Sequence, residues 1–545
     1  MSDSQIHSAH AKPIKRADIL FFSAAFIFLY TQLFQFPFTP YYFDGDHIII
    51  ISNAIRMLGG EVMYRDFFHL APPGAELVYL TLFSIFGVKV WVLNVTILFL
   101  GLALVGLTWF FSRQVLTGLI VYLPASIFLI VGYRLFFIDG TYRLFSVVCV
   151  LSTISVLMSK RTHRNVMIAG GICGLASFFM QPRGIAGVTG ISLFLLWENY
   201  HEGFNLKRLI EKGLYLSLPF FLVVALTQSY FVYHAGFDNY YFSLVTFLRE
   251  HYPKDPLSNG SAYLSDLPNF KQYLDIYSPV FAAWRYFRIA FPLLFYLSLI
   301  PLVYFVFLLV RWRKKTYLSS RESDAQLMLL CLAGLALSAG VSAFTPIRLS
   351  HVAIPGIILL VWLIKQTAYS ERIAAACLAL LAVIGFSYVV QRQNVAKYYL
   401  DMPAGRSAFF SEQYYGRYKW IGEHTKPGEP FYEGHHPSYY FPFYLKNPTP
   451  MYLIRDSDYT PAFQVEAVVK GLQNDPPNLI AWPRKWTKSA NARVPGDHLE
   501  ILWHYIVTNY EFEVEFPKPL DYTPYSEGDI DIWRLKELAP RTPLY

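Results

Sequence analysis

Long apolar runs dominate residues 1–390 of this 545-residue chain. A hydrocarbon core of roughly 30 Å is crossed by a helix of about 20 apolar residues, so each run predicts a transmembrane helix. Hydrophobic residues make up 54% of the chain and charged residues only 15%, which is typical of a membrane protein with a water-exposed part. The sequence predicts a mainly α, polytopic fold with about eleven spans. We place them at residues 19–36, 89–111, 115–133, 141–158, 165–181, 184–198, 212–233, 286–310, 326–344, 350–366 and 372–390.

The basic residues predict the orientation of these spans. Lys12, Lys15 and Arg16 precede the first span without a cleavable signal pattern, so we expect a cytoplasmic N-terminus and an uncleaved first span. Threading the chain from this start puts the basic clusters at 113, 160–164, 207–212 and 311–315 on the cytoplasmic side. Topology thus explains the net charge of +8, and no nucleic-acid partner is expected. The pattern suits a bacterial inner membrane, with a eukaryotic endoplasmic reticulum as the alternative.

The same threading sends the remaining loops to the outer, periplasmic face: residues 37–88, 134–140, 182–183, 234–285, 345–349 and everything after 391. From about residue 391 the composition becomes mixed polar and aromatic. We therefore predict a transmembrane domain over 1–390 and a small soluble α/β domain over 391–545. Within the latter, 461–472 is predicted as an amphipathic helix and 505–514 and 529–535 as strands.

The cysteines predict no special chemistry. Cys149, Cys173, Cys331 and Cys377 all lie inside apolar runs. Neither a disulfide framework nor a cysteine metal site is supported by this placement. We expect all four to be core residues.

Two acids follow the first span directly, in Phe43-Asp44-Gly45-Asp46-His47. A carboxylate beside a membrane-spanning segment is costly unless it does chemistry, holds a cation or forms a salt bridge. Asp44 and Asp46 are therefore the candidate catalytic residues. They are also the residues that could coordinate Mg²⁺ or Mn²⁺ through oxygen. The structural alternative is that they cap the amphipathic helix predicted to follow, because Asp is a favoured N-cap.

The opening loop continues with Gly59-Gly60-Glu61-Val62-Met63-Tyr64-Arg65-Asp66 and Ala71-Pro72-Pro73-Gly74. With Asp44-Gly45-Asp46, these motifs resemble those of GT-C membrane glycosyltransferases, in the branch that contains protein O-mannosyltransferases and the lipid A aminoarabinose transferase. The resemblance extends to Gln181-Pro182-Arg183-Gly184, to Arg348-Leu349-Ser350-His351 and to the soluble tail. The acidic motif of relatives is often Asp-Glu, whereas this chain has Asp-Gly-Asp. Asp44 thus matches the catalytic position, and the role of Asp46 stays open.

The resemblance implies an enzyme that takes a sugar from a polyprenyl-phosphate carrier and passes it to an acceptor hydroxyl, with inversion at the anomeric carbon. The acceptor would be a lipid, a glycan or a protein. Membrane lipids are the other expected partners. A carboxylate that accepts the hydroxyl proton is worth typically about 100- to 10,000-fold in rate, and Asp44 is the predicted base. The leaving phosphate needs cations or a divalent metal, for which Arg65, Arg183, Arg348 and His351 are candidates.

Each candidate in this substrate-binding set has a structural alternative. Tyr64-Arg65-Asp66, which belongs to the predicted substrate-binding set, could be a loop turn held by a salt bridge between Arg65 and Asp66. Arg183 could simply lie at the membrane interface without binding a substrate. Arg348 and His351 could extend towards lipid headgroups.

Three further features lie on the predicted outer face. Asp139 is expected to pair with Arg134 or Arg143. The loop 234–285, rich in charges and tyrosines, is predicted to be a mobile cover over the donor and acceptor cleft. His435-His436 has no spaced third ligand, so we predict surface histidines rather than a metal site.

Two rival functions remain open, whereas a third, a metal-dependent lipid phosphatase or phosphotransferase, lacks a nucleophile with an adjacent base in the sequence. A transporter or flippase of lipid-linked substrates would also combine spans with charges, but would be expected to carry them near the bilayer midplane. A non-catalytic membrane scaffold would not need the acid-rich first loop. Sugar, acceptor, carrier length and metal dependence are not determined by the sequence.

Overall fold

The computed structural model describes residues 14–133, 139–255, 282–313, 321–341, 346–487, 498–517 and 529–536. The predicted partner Arg134 and part of the predicted cover, residues 256–281, lie outside these ranges.

Helices make up most of the described part of residues 14–395. They are α1 (Arg16–Leu33), α2 (Asp46–Leu58), α3 (Gly74–Phe86), α4 (Val90–Val115), α5 (Leu123–Ile127), α6 (Tyr142–Ser159), α7 (His163–Phe179), α8 (Gln181–His201), α9 (Leu206–Ala235), α10 (Phe237–Tyr241), α11 (Phe247–Glu250), α12 (Ala282–Arg313), α13 (Arg321–Ser338), α14 (Pro346–Val352), α15 (Ile354–Lys365) and α16 (Ser370–Val395). Short 3₁₀ turns at Leu119–Tyr122 and Tyr252–Lys254, π turns at Phe128–Tyr133 and Phe242–Thr246, and a two-stranded ribbon of β1 (Phe34–Gln35) and β2 (Thr39–Pro40) join them.

The apolar helices make this chain an integral membrane protein. Among the described residues, five helices are long and apolar enough to cross a bilayer: α1, α4, α9, the part of α12 from Leu293 to Arg313, and α16. Within the described residues, each of the eleven predicted runs overlaps with helical structure, and two of them are broken near their middle. The run 115–133 is a series of 3₁₀, α and π turns, and the run 350–366 is divided at Ala353, two residues before Pro355. Proline lacks an amide donor, which explains the second break. The number of spans stays a prediction.

Charged residues separate to the two ends of these helices. At one end, Asp18 of α1 lies 3.6 Å from Arg113 of α4. Arg161, which follows α6, lies 2.6 Å from Glu198 near the end of α8. Because α6 and α8 begin at the opposite end, Arg143 and Arg183 lie far along the helices from this group. The outer-face candidates therefore share one end of the helical layer.

Helices α7 and α9 pack with their backbones in contact. A Cβ atom on Gly170 would lie only 2.0 Å from the carbonyl oxygen of Leu216, and one on Gly174 would lie 2.8 Å from that of Phe220. Glycines four residues apart lie on one face of a helix and permit such close approach in membranes. The α7–α9 contact thus depends on the absence of side chains at these two positions.

Gly170→Val is expected to destabilise the protein, because the new side chain cannot fit against the backbone of Leu216. Overpacking costs typically about 1–3 kcal/mol and occasionally more. The matched control is Gly171→Val, where the nearest atom to an added Cβ is 4.0 Å away. Thermal unfolding in detergent would measure both. Equal melting temperatures of the two variants would contradict this account of α7–α9 packing.

The C-terminal segment, residues 398–536, carries a small sheet region. Strands β3 (Tyr398–Leu400) and β4 (Ser407–Phe409) form a hairpin, and a second sheet has the order β5-β6-β8-β7. Its strands are β5 (Phe431–Glu433), β6 (Leu479–Pro483), β7 (Tyr510–Phe516) and β8 (Ile530–Leu535). The pair β5/β6 is parallel and the pairs β6/β8 and β7/β8 are antiparallel. Helices α17 (Glu412–His424), α18 (Tyr440–Phe443), α19 (Ala462–Asn474) and α20 (Glu500–Asn509) complete the segment.

Two element predictions are confirmed, and a third is correct only over its second half. The helix at 461–472 and the strand at 529–535 are observed as α19 and β8. The predicted strand 505–514 is instead the end of α20 followed by β7. Leu502, Tyr505 and Ile506 recur at helical spacing and are buried in the same apolar cluster, so packing against α19 favours the helix over a strand there.

The C-terminal segment holds the chain just before Asp44. The backbone N–H of Tyr42 donates to the carbonyl oxygen of Ala408 at 3.0 Å. The Tyr42 ring lies 5.6 Å from that of Phe409 and 5.0 Å from that of Tyr418. The opening loop and the C-terminal segment therefore form one packed layer at the end where Asp44 lies.

Candidate functional site

Asp44 lies at the contact between the opening loop and the C-terminal segment. Its Oδ2 accepts a hydrogen bond from Ser438 Oγ at 2.8 Å, and its Oδ1 accepts one from the backbone N–H of Gly45 at 2.9 Å. His436 Nδ1 lies 3.4 Å from the same Oδ1. The Asp44 side chain is 17% accessible, so it is largely enclosed but can still be reached.

These contacts lower the pKa of Asp44. Burial is the largest influence and by itself would raise the pKa, since it disfavours the charged carboxylate. The hydrogen bonds and charge of His436, the hydroxyl of Ser438 and the charge of His47 outweigh burial and hold the pKa of Asp44 below its usual range. Asp44 is thus an ionised carboxylate at neutral pH, the form that can accept a proton.

Helix capping does not account for the two acids. Helix α2 begins at Asp46, and its cap position is Gly45, with no side-chain hydrogen bond at the cap. Neither Asp44 nor Asp46 therefore acts as the N-cap of α2, which was the structural alternative for these two acids.

Asp46 forms an ion pair with Arg143. The Nη2 of Arg143 donates to Asp46 Oδ2 and also lies 3.4 Å from Asp139 Oδ2. The predicted pairing of Asp139 is confirmed with Arg143. Thr141 caps α6, and its hydroxyl accepts hydrogen bonds from the backbone N–H and the Nε of Arg143 at 3.4 and 3.2 Å. The first turn of α6 therefore fixes the direction of the Arg143 guanidinium.

The Asp46 carboxylate stays accessible although Arg143 pairs with it. Its side chain is 61% accessible. Burial would raise the pKa of Asp46, but Arg143, followed by His436 and Arg348, lowers it below its usual range. We call this cluster of Asp44, Asp46, Arg143, Arg348 and Tyr142 the site recess.

The loop after α9 and the C-terminal segment meet beside the site recess. The Nη2 of Arg348 donates to Tyr252 OH at 3.0 Å, and the ring of Tyr252 lies 6.1 Å from that of Tyr459. Asp255 Oδ2 lies 3.7 Å from Arg455 Nε. These contacts place the described part of this loop near the candidate site, as predicted. They also show that Arg348 contacts a tyrosine of the protein.

Arg183 and His351 lie behind the site recess. Arg183 is 1% exposed, and its Nη1 donates to Ser146 Oγ and to the carbonyl oxygen of Arg143, both at 2.9 Å. Its Nε donates to the carbonyl oxygen of Leu337 at 3.2 Å, and its Nη2 lies 3.2 Å from His351 Nε2. Because protein groups already engage this guanidinium, Arg183 supports the start of α6 instead of facing a ligand.

Tyr64-Arg65-Asp66 forms a loop turn in which Arg65 and Asp66 are paired. Arg65 Nη2 donates to Asp66 Oδ2 at 2.8 Å, and that oxygen accepts the backbone N–H of Val62 at 2.7 Å. Tyr64 is buried and donates its hydroxyl to the carbonyl oxygen of Ala71 at 2.6 Å. Among the contacts of the described residues, none joins this turn to Asp44 or Asp46.

The prediction that His435 and His436 are surface residues was wrong. His436 contacts Asp44, and His435 Nε2 lies 2.6 Å from Arg455 Nη1. Burial, and then the charges of Arg455 and Lys485, lower the pKa of His435 well below its usual range. The fold places the loop after β5 against the opening loop, which adjacent histidines in a polar stretch do not predict.

Sequence reasoning missed Ser438 and a second buried cluster. Ser438 has no motif around it that predicts a role. His69 Nε2 lies 3.0 Å from Glu76 Oε1, and Asn53 Nδ2 donates to the same oxygen at 3.5 Å. Glu76 is fully buried, and this cluster ties α2 to α3. A glutamate inside an apolar stretch was the signal that could have revealed it.

Protein groups already engage both carboxylates of the site recess. Mg²⁺ and Mn²⁺ bind through several oxygen ligands with free lone pairs. Asp46 is instead paired with an arginine, and both oxygens of Asp44 accept donors. Among the described residues, no group of three or more His, Cys, Asp and Glu side chains is placed to hold a metal.

No protein-family model matches the chain, and no curated protein matches it in sequence. Solved structures do match. The chain is similar to GT-C glycosyltransferases of known structure. ArnT from Cupriavidus metallidurans bound to undecaprenyl phosphate matches with a TM-score of 0.49 and 11% identity, covering 96% of this chain and 99% of that one.

Two further structures give similar values. The oligosaccharyltransferase AglB from Archaeoglobus fulgidus, in complex with an inhibitory peptide and a dolichol-phosphate, matches with a TM-score of 0.47 and 12% identity over 96% of this chain and 75% of that one. The arabinofuranosyltransferase AftD from Mycobacteria matches with a TM-score of 0.43 and 10% identity over 96% and 40%. All three TM-scores are below 0.5, so these similarities assign no role to any residue of this chain.

Proposed function

We propose that this chain is an integral-membrane glycosyltransferase that moves a sugar from a polyprenyl-phosphate carrier to an acceptor hydroxyl on the outer face of the membrane. The observation that carries the proposal is the site recess. It places two ionised carboxylates and two arginines together at one end of the membrane helices. Acid and base groups at a membrane surface suit a reaction between lipid-linked substrates.

Asp44 is the general base of this proposal. The acceptor oxygen attacks the anomeric carbon, the bond from that carbon to the carrier phosphate breaks, and Asp44 takes the hydroxyl proton. Attack opposite the leaving phosphate inverts the anomeric carbon. Asp46 is the weaker candidate for the base because its ion pair with Arg143 opposes protonation. We assign Asp46 to the orientation of Arg143.

Arg143 and Arg348 are the proposed contacts of the carrier phosphate. Both lie near Asp46 and face the site recess, and a guanidinium matches a phosphate through two parallel hydrogen bonds. Arg183 and His351 act behind them by holding the start of α6. The exposed Arg65-Asp66 pair is left as a structural feature of the loop.

The arrangement in the membrane follows from this reaction. We propose residues 1–390 as the catalytic transmembrane domain and residues 391–545 as an outer-face domain, with a cytoplasmic N-terminus in a bacterial inner membrane. The grouping of the site residues at one end of the helices, away from Arg113 and Arg161, supports one catalytic face.

The expected result of the direct test is release of undecaprenyl phosphate. The full-length protein in lipid nanodiscs would be given undecaprenyl-phosphate-linked hexoses and pentoses, with an extract of bacterial envelope lipids and glycans as acceptor. Consumption of one donor, with transfer of its sugar, is expected. If no donor is consumed but a fluorescent lipid-linked sugar moves across the bilayer of proteoliposomes that contain the protein, the chain is better explained as a flippase. If neither transfer nor movement occurs, it is better explained as a non-catalytic scaffold.

A further inference from the structure

The C-terminal segment supplies donors to the carboxylate of Asp44. Ser438 lies 394 residues after Asp44 in the sequence, and its hydroxyl donates to Asp44 Oδ2. His436 Nδ1 lies 3.4 Å from Asp44 Oδ1 and 3.3 Å from Ser438 Oγ. One imidazole nitrogen therefore lies beside both the carboxylate and the hydroxyl that binds it.

Ser438 is itself held in place by tyrosines from two parts of the chain. Its carbonyl oxygen accepts the hydroxyl of Tyr42 at 3.0 Å and that of Tyr418 at 3.4 Å. Its backbone N–H donates to the carbonyl oxygen of His436 at 2.8 Å. Ser438 is completely buried. A side chain fixed by its own backbone contacts can fix the rotamer of the group it binds.

The donors also decide which part of Asp44 is left for a substrate. An ionised carboxylate has about four lone-pair sites. Gly45 and His436 approach Oδ1, and Ser438 approaches Oδ2, so the remaining site is on Oδ2. An acceptor hydroxyl that donates to this site would meet a carboxylate whose orientation is set before the substrate arrives, which lowers the cost of reaching the reactive geometry.

From these contacts we infer that Ser438 and His436 are positioning residues for Asp44, so that the C-terminal segment completes the catalytic site. This inference rests on the proposed function for its effect on rate. The contact itself is independent of any activity. Asp44 comes from the opening loop, whereas Ser438 and His436 come from the C-terminal segment. The catalytic centre is therefore complete only when the C-terminal segment packs on the opening loop.

The kinetic test compares Ser438→Ala with Ser411→Ala in the full-length protein. Ser411 is also a buried serine of the C-terminal segment, but its hydroxyl donates to Gln413 Oε1 at 3.4 Å. Loss of a hydrogen bond to a charged group corresponds to roughly 10- to 100-fold. We expect that fall in kcat for Ser438→Ala, with KM for donor and acceptor unchanged, and parent values for Ser411→Ala.

A second pair of variants separates positioning from folding. His436→Asn keeps an N–H donor near the place of Nδ1, whereas His436→Ala removes it. We expect His436→Asn to recover most of the kcat that His436→Ala loses, at equal melting temperatures. Equal losses in both, or losses matched by a lower melting temperature, would mean that the segment acts only through stability and would overturn the inference.

An infrared measurement tests the contact without substrate. The carboxylate band of Asp44 is identified by its loss in Asp44→Asn, and it is expected to shift in Ser438→Ala but not in Ser411→Ala. If the parent transfers no sugar, the proposed function fails while this band can still shift. If the band stays in place, or if Ser438→Ala has parent kcat, the positioning role is overturned although the transferase stands.

Discussion

Asp44→Asn is expected to lower kcat for sugar transfer by about 100- to 10,000-fold, the usual contribution of a positioned general base. Asparagine keeps the shape of the side chain and can still accept the Ser438 hydroxyl, but it cannot take a proton from the acceptor. Donor binding should change little, because the proposed phosphate contacts are arginines. Release of undecaprenyl phosphate by folded protein in nanodiscs measures the effect.

Asp46→Asn is the matched control for this prediction. It makes the same chemical change two residues away, in a carboxylate that is paired with Arg143. We expect a smaller loss, expressed mainly as a higher KM for the donor, since Arg143 would lose a partner that orients it. A large loss of kcat in Asp46→Asn with near-parent kcat in Asp44→Asn would move the base to Asp46.

Arg143→Gln is expected to lower kcat/KM by roughly 100- to 1,000-fold. This is the usual effect of removing one group that stabilises charge developing in the transition state. Arg143 is the buried arginine that reaches both Asp46 and Asp139, and we propose that its guanidinium also meets the leaving phosphate. Glutamine removes the positive charge. Arg143→Lys should recover only part of the loss, because an ammonium lacks the planar fork of arginine.

The double variant Arg143→Gln/Asp46→Asn distinguishes two explanations of that loss. If Arg143 only neutralises Asp46, removing both charges should restore activity to that of Asp46→Asn alone. If Arg143 binds the phosphate, the double variant should stay as slow as Arg143→Gln. Arg113→Gln, which removes an arginine paired with Asp18 at the other end of the helices, should keep parent kcat/KM. Melting temperatures would show whether any loss reflects unfolding.

Elements that depend on neighbouring residues could be predicted from the sequence. Most apolar runs of span length are helices in the structure, and the strand-like segment 529–535 is β8. The two acids after the first span were found because a carboxylate is expensive there. The strand predicted at 505–514 is observed only from Tyr510, because the β-branched and aromatic residues of 505–509 also fit a helix. Burial of Leu502, Tyr505 and Ile506 against α19 favours the helix there.

The composition of the site, in contrast, follows from contacts between distant parts of the chain. It placed His436 and Ser438 on Asp44, paired Arg143 with Asp46, and put Arg183 behind the recess instead of in it. The physical reason is distance along the chain. Periodicity and motifs report on residues within a few turns of each other, whereas a hydrogen bond between Asp44 and a serine 394 residues away exists only because the opening loop and the C-terminal segment pack as one layer.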